Sequence, residues 1–345
     1  MSNKVKALLG TAIALSIGLS QSLDAKKTDS FDSDKAEITG AGVVPVLWHD
    51  PTDIATRDLT QGAGGASHAP HPPFTFLEED SNGSNPKFDV QDSDGIKWKV
   101  KLGAEAKPEV AASRLVWAAG YFTDQEYFVH ELRVSNLPEH LKRGNSYVRA
   151  DGVVMDARLK RHLEGEKKLG TWEWRNNPFI NTREFNGLRV LMALINNWDL
   201  KDENNAIARE RRGNGTELVY MISDLGASFG TTHLVPGHEK SRGNLDSYLH
   251  SKFVRGVDGK LVDFEDPHRP ALIAMANPHE FFSRVNMEWI GRDIPVADAR
   301  WMGQLLGKLS HDQMRDAFRC AGFSPEEVEG FASEVESRIG QLQHL

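Results

Sequence analysis

The chain has 345 residues, 39% of them hydrophobic, with a formal net charge of −8, one cysteine and 13 histidines. That length and apolar content are enough for one large domain or a two-lobed one, which excludes an unfolded chain. The acidic balance leaves no dominant basic face and argues against a nucleic-acid partner, while the lone Cys320 excludes an intramolecular disulfide and any cysteine-based zinc cluster.

Residues 1–25 read as a signal peptide: Lys4 and Lys6 precede an apolar stretch from Ala7 to Leu19, with cleavage expected after Ser22 or Ala25. The mature chain is therefore expected to be exported, to a periplasm or the exterior. No later segment reaches the ~20 apolar residues that an integral membrane span needs. Residues 26–72 hold Asp, Ser, Gly, Pro and His without periodicity and are expected to form an irregular N-terminal extension that wraps the domain. His68 and His71, set among prolines in "HAPHPP", read as loop residues.

From Phe74 the pattern becomes strand, turn, strand, turn, strand: "FTFLEED", "SNGSN", "PKFDVQD", "SDG", "IKWKVKL". In the last strand Ile96, Trp98, Val100 and Leu102 alternate with Lys97, Lys99 and Lys101, so one face is apolar and the other cationic. A helix follows in "PEVAASRLVWAAGY", with Pro108 and Glu109 in its first turn and Gly120 as its stop. Two more strands are expected in "YFVHELRV" and "NSYVRADGVVM". Asn181 and Glu184 suggest a capping box for a central helix carrying Phe185, Leu188, Leu191, Met192 and Ile195 up to Asn197. "NAIARE" and "ELVYMISD" then flank a glycine-containing turn as a hairpin, and the tail holds two helices capped by Ser310 with Gln313 and by Ser324 with Glu327.

Between the central helix and the hairpin, "NWDLKDEN" places Asp199 and Asn204 at the spacing D-x-x-x-x-N, and "SDLGASFG" places Asp224 just after the hairpin. The spacing alone is weak, since Asp80 and Asn85 share it. Singly, each residue has a plain reading as a turn cap or a solvated charge. Four parts in order carry more: a strand lysine, a glutamate on the next helix, D-x-x-x-x-N after a long helix, and D-x-G after a hairpin.

In these motifs the sequence resembles the protein-kinase-like superfamily. "NWDLKDEN" is similar to the catalytic loop HRDLKPEN and "DLG" to DFG, while the close succession of strand lysine and helix glutamate is more similar to the HipA-like and phosphoinositide-kinase-like branches. The resemblance implies an α+β, bilobal fold: a small antiparallel-sheet N-lobe with one helix over residues 73–150 and a mainly helical C-lobe over 151–345. It implies ATP or another nucleotide and Mg2+ as cofactors, with Asn204 and Asp224 as metal ligands and Asp199 as the base that orients a hydroxyl acceptor on protein, glycan or lipid. Lys101 would hold the phosphates and Glu109 would pair with it. Ser81, Asn82, Gly83 and Ser84 would form the phosphate-covering loop. Lys99 rivals Lys101 on the same strand face, and Asn205 rivals Asn204. The sequence departs from the strict eukaryotic-type kinases in lacking G-x-G-x-x-G and A-P-E and in having Asn197–Trp198 in place of His-Arg. His233 and His238 are expected to be loop residues, and Trp172 and Trp174 to serve packing or a substrate rim. The competing expectations are a pseudokinase that only binds, and an unrelated exported metal-dependent hydrolase that uses the same Asp and Asn residues.

Overall fold

A computed structural model describes residues 43–81, 83, 85–162, 168–212, 215–231, 241–265 and 287–345. The signal peptide, the first part of the extension, Asn82, Ser84, His233 and His238 lie outside the described residues. In chain order the elements are β1 Val43–Val46, β2 Phe74–Asp80, β3 Lys87–Gln91, β4 Lys97–Lys101, α1 Ala106–Ala118, β5 Phe122–Thr123, β6 Glu126–Ser135, β7 Val153–Arg161, β8 Lys168–Gly170, α2 Arg183–Leu194, β9 Asn205–Arg212, β10 Gly215–Ile222, α3 Leu245–Leu249, β11 Val254–Asp258, β12 Leu261–Phe264, β13 Ile294–Pro295, α4 Val296–Leu306, α5 His311–Arg319 and α6 Pro325–Gln343. This is a two-lobed α+β arrangement, as the resemblance implies: a small lobe of sheet plus one helix, and a larger lobe that carries the other helices. Among the described residues no helix is long and apolar enough to cross a membrane.

The small lobe's sheet closes into a barrel in the order β2-β3-β4-β7-β6, with a short parallel β2/β6 contact sealing it. Alternation explains the barrel: Phe88, Val90, Trp98 and Val100 fill its interior, while Lys97 and Lys99 point outward. β7 starts after Gly152, whose φ of +79° makes the turn, so "NSYVRADGVVM" supplies a 3₁₀ turn at Asn145–Tyr147 and then only the beginning of the strand. The barrel consequently runs to Arg161, past a lobe boundary drawn at 150.

α1 is buried on almost every side, packing Val110, Leu115 and Val116 into the core shared with the large lobe. Gly120 ends it at φ +94°, and a Cβ there would lie 2.2 Å from the His49 carbonyl oxygen. The helix's last carbonyls, which have no partner within the helix, are met by the N-terminal extension. Trp48 Nε1 donates to Ala119 O at 2.7 Å, Arg57 Nη1 to Trp117 O at 2.5 Å and the His49 N–H to Gly120 O at 3.0 Å. The same segment reaches the large lobe, where β1 pairs in parallel with β10 and Gln313 of α5 donates to the carbonyls of Ile54 and Arg57. The described part of the extension, residues 43–72, thus wraps both lobes. His68 meets Gln125 at 3.1 Å and His71 meets Asp94 at 2.6 Å, as loop histidines do.

In the large lobe, α2 is capped by Thr182, whose hydroxyl accepts from the Phe185 N–H at 3.2 Å. The cap therefore lies one residue beyond the expected Asn181, which sits in the left-handed region at φ +67°; with Phe185 three residues on, no reciprocal glutamate contact forms. The two tail capping boxes form as expected, Ser310 with Gln313 and Ser324 with Glu327. Trp172 and Trp174 are core residues, and Trp172 Nε1 donates to Met221 O at 2.9 Å. Arg338 of α6 is fully buried and donates to Leu194 O and Asn196 Oδ1, which pins the end of α2 just before the Asp199 turn.

Candidate active site

The cleft is organised around one buried ammonium group. Lys101 ends β4, and although it shares the outward face with Lys97 and Lys99 it is only 2% exposed, because α1 and the Asp224 turn close over it. Its Nζ lies 2.8 Å from Glu109 Oε2, 2.8 Å from Asp224 Oδ1 and 3.2 Å from Glu105 Oε2. Burial alone would lower the Lys101 pKa, but Glu109, Asp224 and Glu105 outweigh both burial and Arg158 and hold it above the usual lysine value. Lys99 instead pairs with Asp80 at 2.6 Å and Asp89 at 3.5 Å, away from Glu109. Between the two rival lysines, Lys101 is the one that joins the strand, the helix and the D-L-G turn.

Glu109 is 1% exposed and serves two cations, Lys101 and Arg158, the latter at 3.1 Å. Behind it Arg158 also faces Glu126 at 3.5 Å. Burial and the neighbouring Glu109 push the Glu126 carboxyl up to about 8, against the pull of Arg158. The folded chain therefore keeps a proton that the unfolded chain releases near an ordinary carboxylate pKa. Stability is expected to fall as pH rises from about 4.5 to about 8, by at most about 1.4 kcal/mol per pH unit from this group. Thermal unfolding of Glu126→Gln across that window should show a flatter profile than the parent chain; parallel profiles would refute the proton's presence.

Glu105, at the N-terminus of α1, is fixed by Asn85 Nδ2 at 2.5 Å and Arg242 Nε at 3.0 Å. It packs so closely on the D-L-G turn that a Cβ on Gly226 would lie 2.6 Å from Glu105 Cβ, which is why a glycine stands there. Asp224 takes a left-handed backbone, φ +51° and ψ +55°, sparsely populated by non-glycine residues. Its side chain remains 44% exposed toward the cleft. Although burial opposes it, Lys101 holds the Asp224 carboxyl below its usual range.

Asn204 is joined to both turns: its Nδ2 donates to Asp199 O at 2.6 Å, and its carbonyl accepts from the Ser223 N–H at 3.0 Å. With Nδ2 so engaged, Oδ1 is the atom left to act as a ligand. A cavity of about 390 Å³ is lined by Lys87, Lys99, Lys101, Glu109, Arg158, Lys160, Asn204, Asn205 and Asp224, among others. Asn205 shares the lining while its Nδ2 is bonded to Trp172 O at 3.1 Å. Asp199 is not among the lining residues; its carboxylate pairs with Lys201 at 2.8 Å. Of the expected phosphate loop, Ser81 and Gly83 are described and exposed, and neither lines the cavity. The loop is stapled by Arg143, which donates to Gly83 O at 2.7 Å and Asp80 O at 3.0 Å. Sequence reasoning missed Lys87, Glu105 and Arg158.

No protein-family model matches the sequence, and no curated protein matches it. Solved structures do. The chain is similar to a Helicobacter pylori proinflammatory kinase, CtkA, at 11% identity over 80% of this chain and 98% of that one, with a TM-score of 0.43. It is also similar to the Golgi casein kinase, at 10% identity over 80% of this chain and 71% of that one, with a TM-score of 0.35.

A magnesium–nucleotide fits the residues present. Among the described residues, no group of three or more His, Cys, Asp or Glu side chains could hold a metal ion by itself. Mg2+ does not require such a group, since it takes one or two protein oxygens and completes its shell with phosphate and water. Asp224 and Asn204 are two such oxygens, and the cations beside them suit the phosphates.

Proposed function

We propose that this chain is an exported atypical kinase that transfers a phosphoryl group from a nucleotide to a hydroxyl acceptor on protein, glycan or lipid. The observation that carries the reading is the contact of Lys101 with both Glu109 and Asp224, three residues from a strand, a helix and a distant turn. Phosphoryl transfer asks a protein mainly for positioning and charge stabilisation. In this reading Lys101 holds phosphate oxygens, Glu109 keeps the ammonium group aimed, and Asp224 with Asn204 Oδ1 hold Mg2+. The metal, when bound, neutralises charge on the phosphates. Asp199 orients the acceptor hydroxyl and takes its proton, which requires its carboxylate to leave Lys201. An unrelated hydrolase has no need of Lys101 beside Asp224. The signal-peptide pattern at residues 1–25 supports the exported part of the reading.

One observation favours a second reading, a pseudokinase that binds without transfer: the Asp199 carboxylate is paired with Lys201 outside the cavity lining. Calorimetry and autophosphorylation on the chain from residue 26 separate the two. The kinase reading expects magnesium-dependent nucleotide binding, lost in Asp224→Ala, and phosphate incorporation that falls about 10²- to 10⁴-fold in Asp199→Ala. Binding without incorporation selects the pseudokinase. Nucleotide binding that Asp224→Ala leaves unchanged removes the metal role altogether.

A further inference from the structure

The cavity's cations are not equivalent. Lys99 is paired with Asp80 and Asp89, Lys101 with three carboxylates, Arg158 with Glu109, and Lys160 with Asp124 at 3.1 Å. Lys87, on β3, lines the same cavity and is half-buried, yet among the described residues it makes no ion pair or hydrogen bond. The β3/β4 register sets it directly opposite Lys101. Like charges facing each other across a strand pair are destabilising, so the chain keeps a cation at a place where stability alone would remove it.

We infer that Lys87 is a phosphate-binding residue of the cleft and makes it selective for a polyphosphate tail, a nucleoside triphosphate over a monophosphate. This rests on the kinase reading of the same cavity and extends it. Lys101 divides its charge between the phosphates and the carboxylates around it, so a second ammonium group is needed to meet the charge of further phosphates. Lys87 also lies close to the loop after β2: a Cβ on Gly83 would be 3.1 Å from its Nζ. Anion binding there gains a direct partner for an ammonium group that pairs with no carboxylate among the described residues. Burial, and then Lys101, pull the Lys87 pKa below its usual value, although Asp224 and Asp80 pull the other way.

The test is calorimetric titration of the chain from residue 26 with Mg2+–ATP, AMP and inorganic tripolyphosphate. The parent is compared with Lys87→Met, Lys87→Arg and the exposed strand control Lys97→Met, with thermal melts confirming that each variant is folded. Lys87→Met should weaken ATP and tripolyphosphate by about tenfold or more while leaving AMP unchanged. Lys87→Arg should restore most of the loss, and Lys97→Met should show none. Nucleotide binding that is the same in Lys87→Met overturns this inference and leaves the kinase reading standing. Tripolyphosphate binding that depends on Lys87, without nucleotide binding, supports the anion site and defeats the kinase reading. No binding of any of the three overturns both. Should Lys87→Met fail to fold, Lys87→Gln replaces it under the same criteria.

Discussion

Glu109→Ala is expected to cost about 3–5 kcal/mol of folding stability, the range for removing one partner from a buried ion pair. Two cations converge on this carboxylate, and both are almost fully buried. Lys101 would keep Asp224 and Glu105, but the one ion-pair partner left to Arg158 among the described residues would be Glu126 at 3.5 Å, a carboxyl that the intact network keeps protonated. Ionising Glu126 is the obvious relief, so part of the loss should be recovered at the expense of its proton. Glu109→Gln retains an acceptor of the same shape and should cost less than the alanine change. Chemical denaturation of both variants measures this. A change below about 1 kcal/mol for Glu109→Ala, the scale of an exposed pair, would mean that the network does not depend on it.

Lys101→Met should reduce phosphoryl transfer by about 10²- to 10³-fold or more, the loss seen when one preorganised charge is removed from a dry site. Methionine fills a comparable volume but leaves Glu109, Glu105 and Asp224 without their shared cation, so thermal melts must first show the variant folded. Lys99→Met provides the contrast. Its ammonium group is held by Asp80 and Asp89 rather than by Glu109 or Asp224, so its removal should change the rate by far less. Single-turnover measurements on the two variants decide between the lysines, and equal losses would contradict the distinction drawn from their partners.

Much of this was written locally. The alternation in 96–102 revealed both the barrel face and the cationic face, and the capping boxes at Ser310 and Ser324 marked helices that form where expected. The Lys101, Glu109, Asn204 and Asp224 cluster was legible only through the order of four motifs, each weak alone. Arg158 was not legible, because it meets Glu109 only once β7 is in register beside β4, a fact of pairing rather than of composition. Lys87 lay hidden for the same reason: Lys101 becomes its neighbour only through the β3/β4 register. The cap of α2 moved by one residue because Asn181 tolerates a left-handed backbone that leaves the capping role to Thr182.

The belt of residues 43–72 has a bearing on how this molecule assembles during synthesis. β1 finds its mate only when β10 has been made, and Ile54 is bridged by Gln313, 259 positions downstream. A nascent chain halted after the barrel would hold an orphan strand and a belt without its Gln313 anchor. The belt is therefore expected to reach its final contacts only after the barrel, once β10 and α5 have been made.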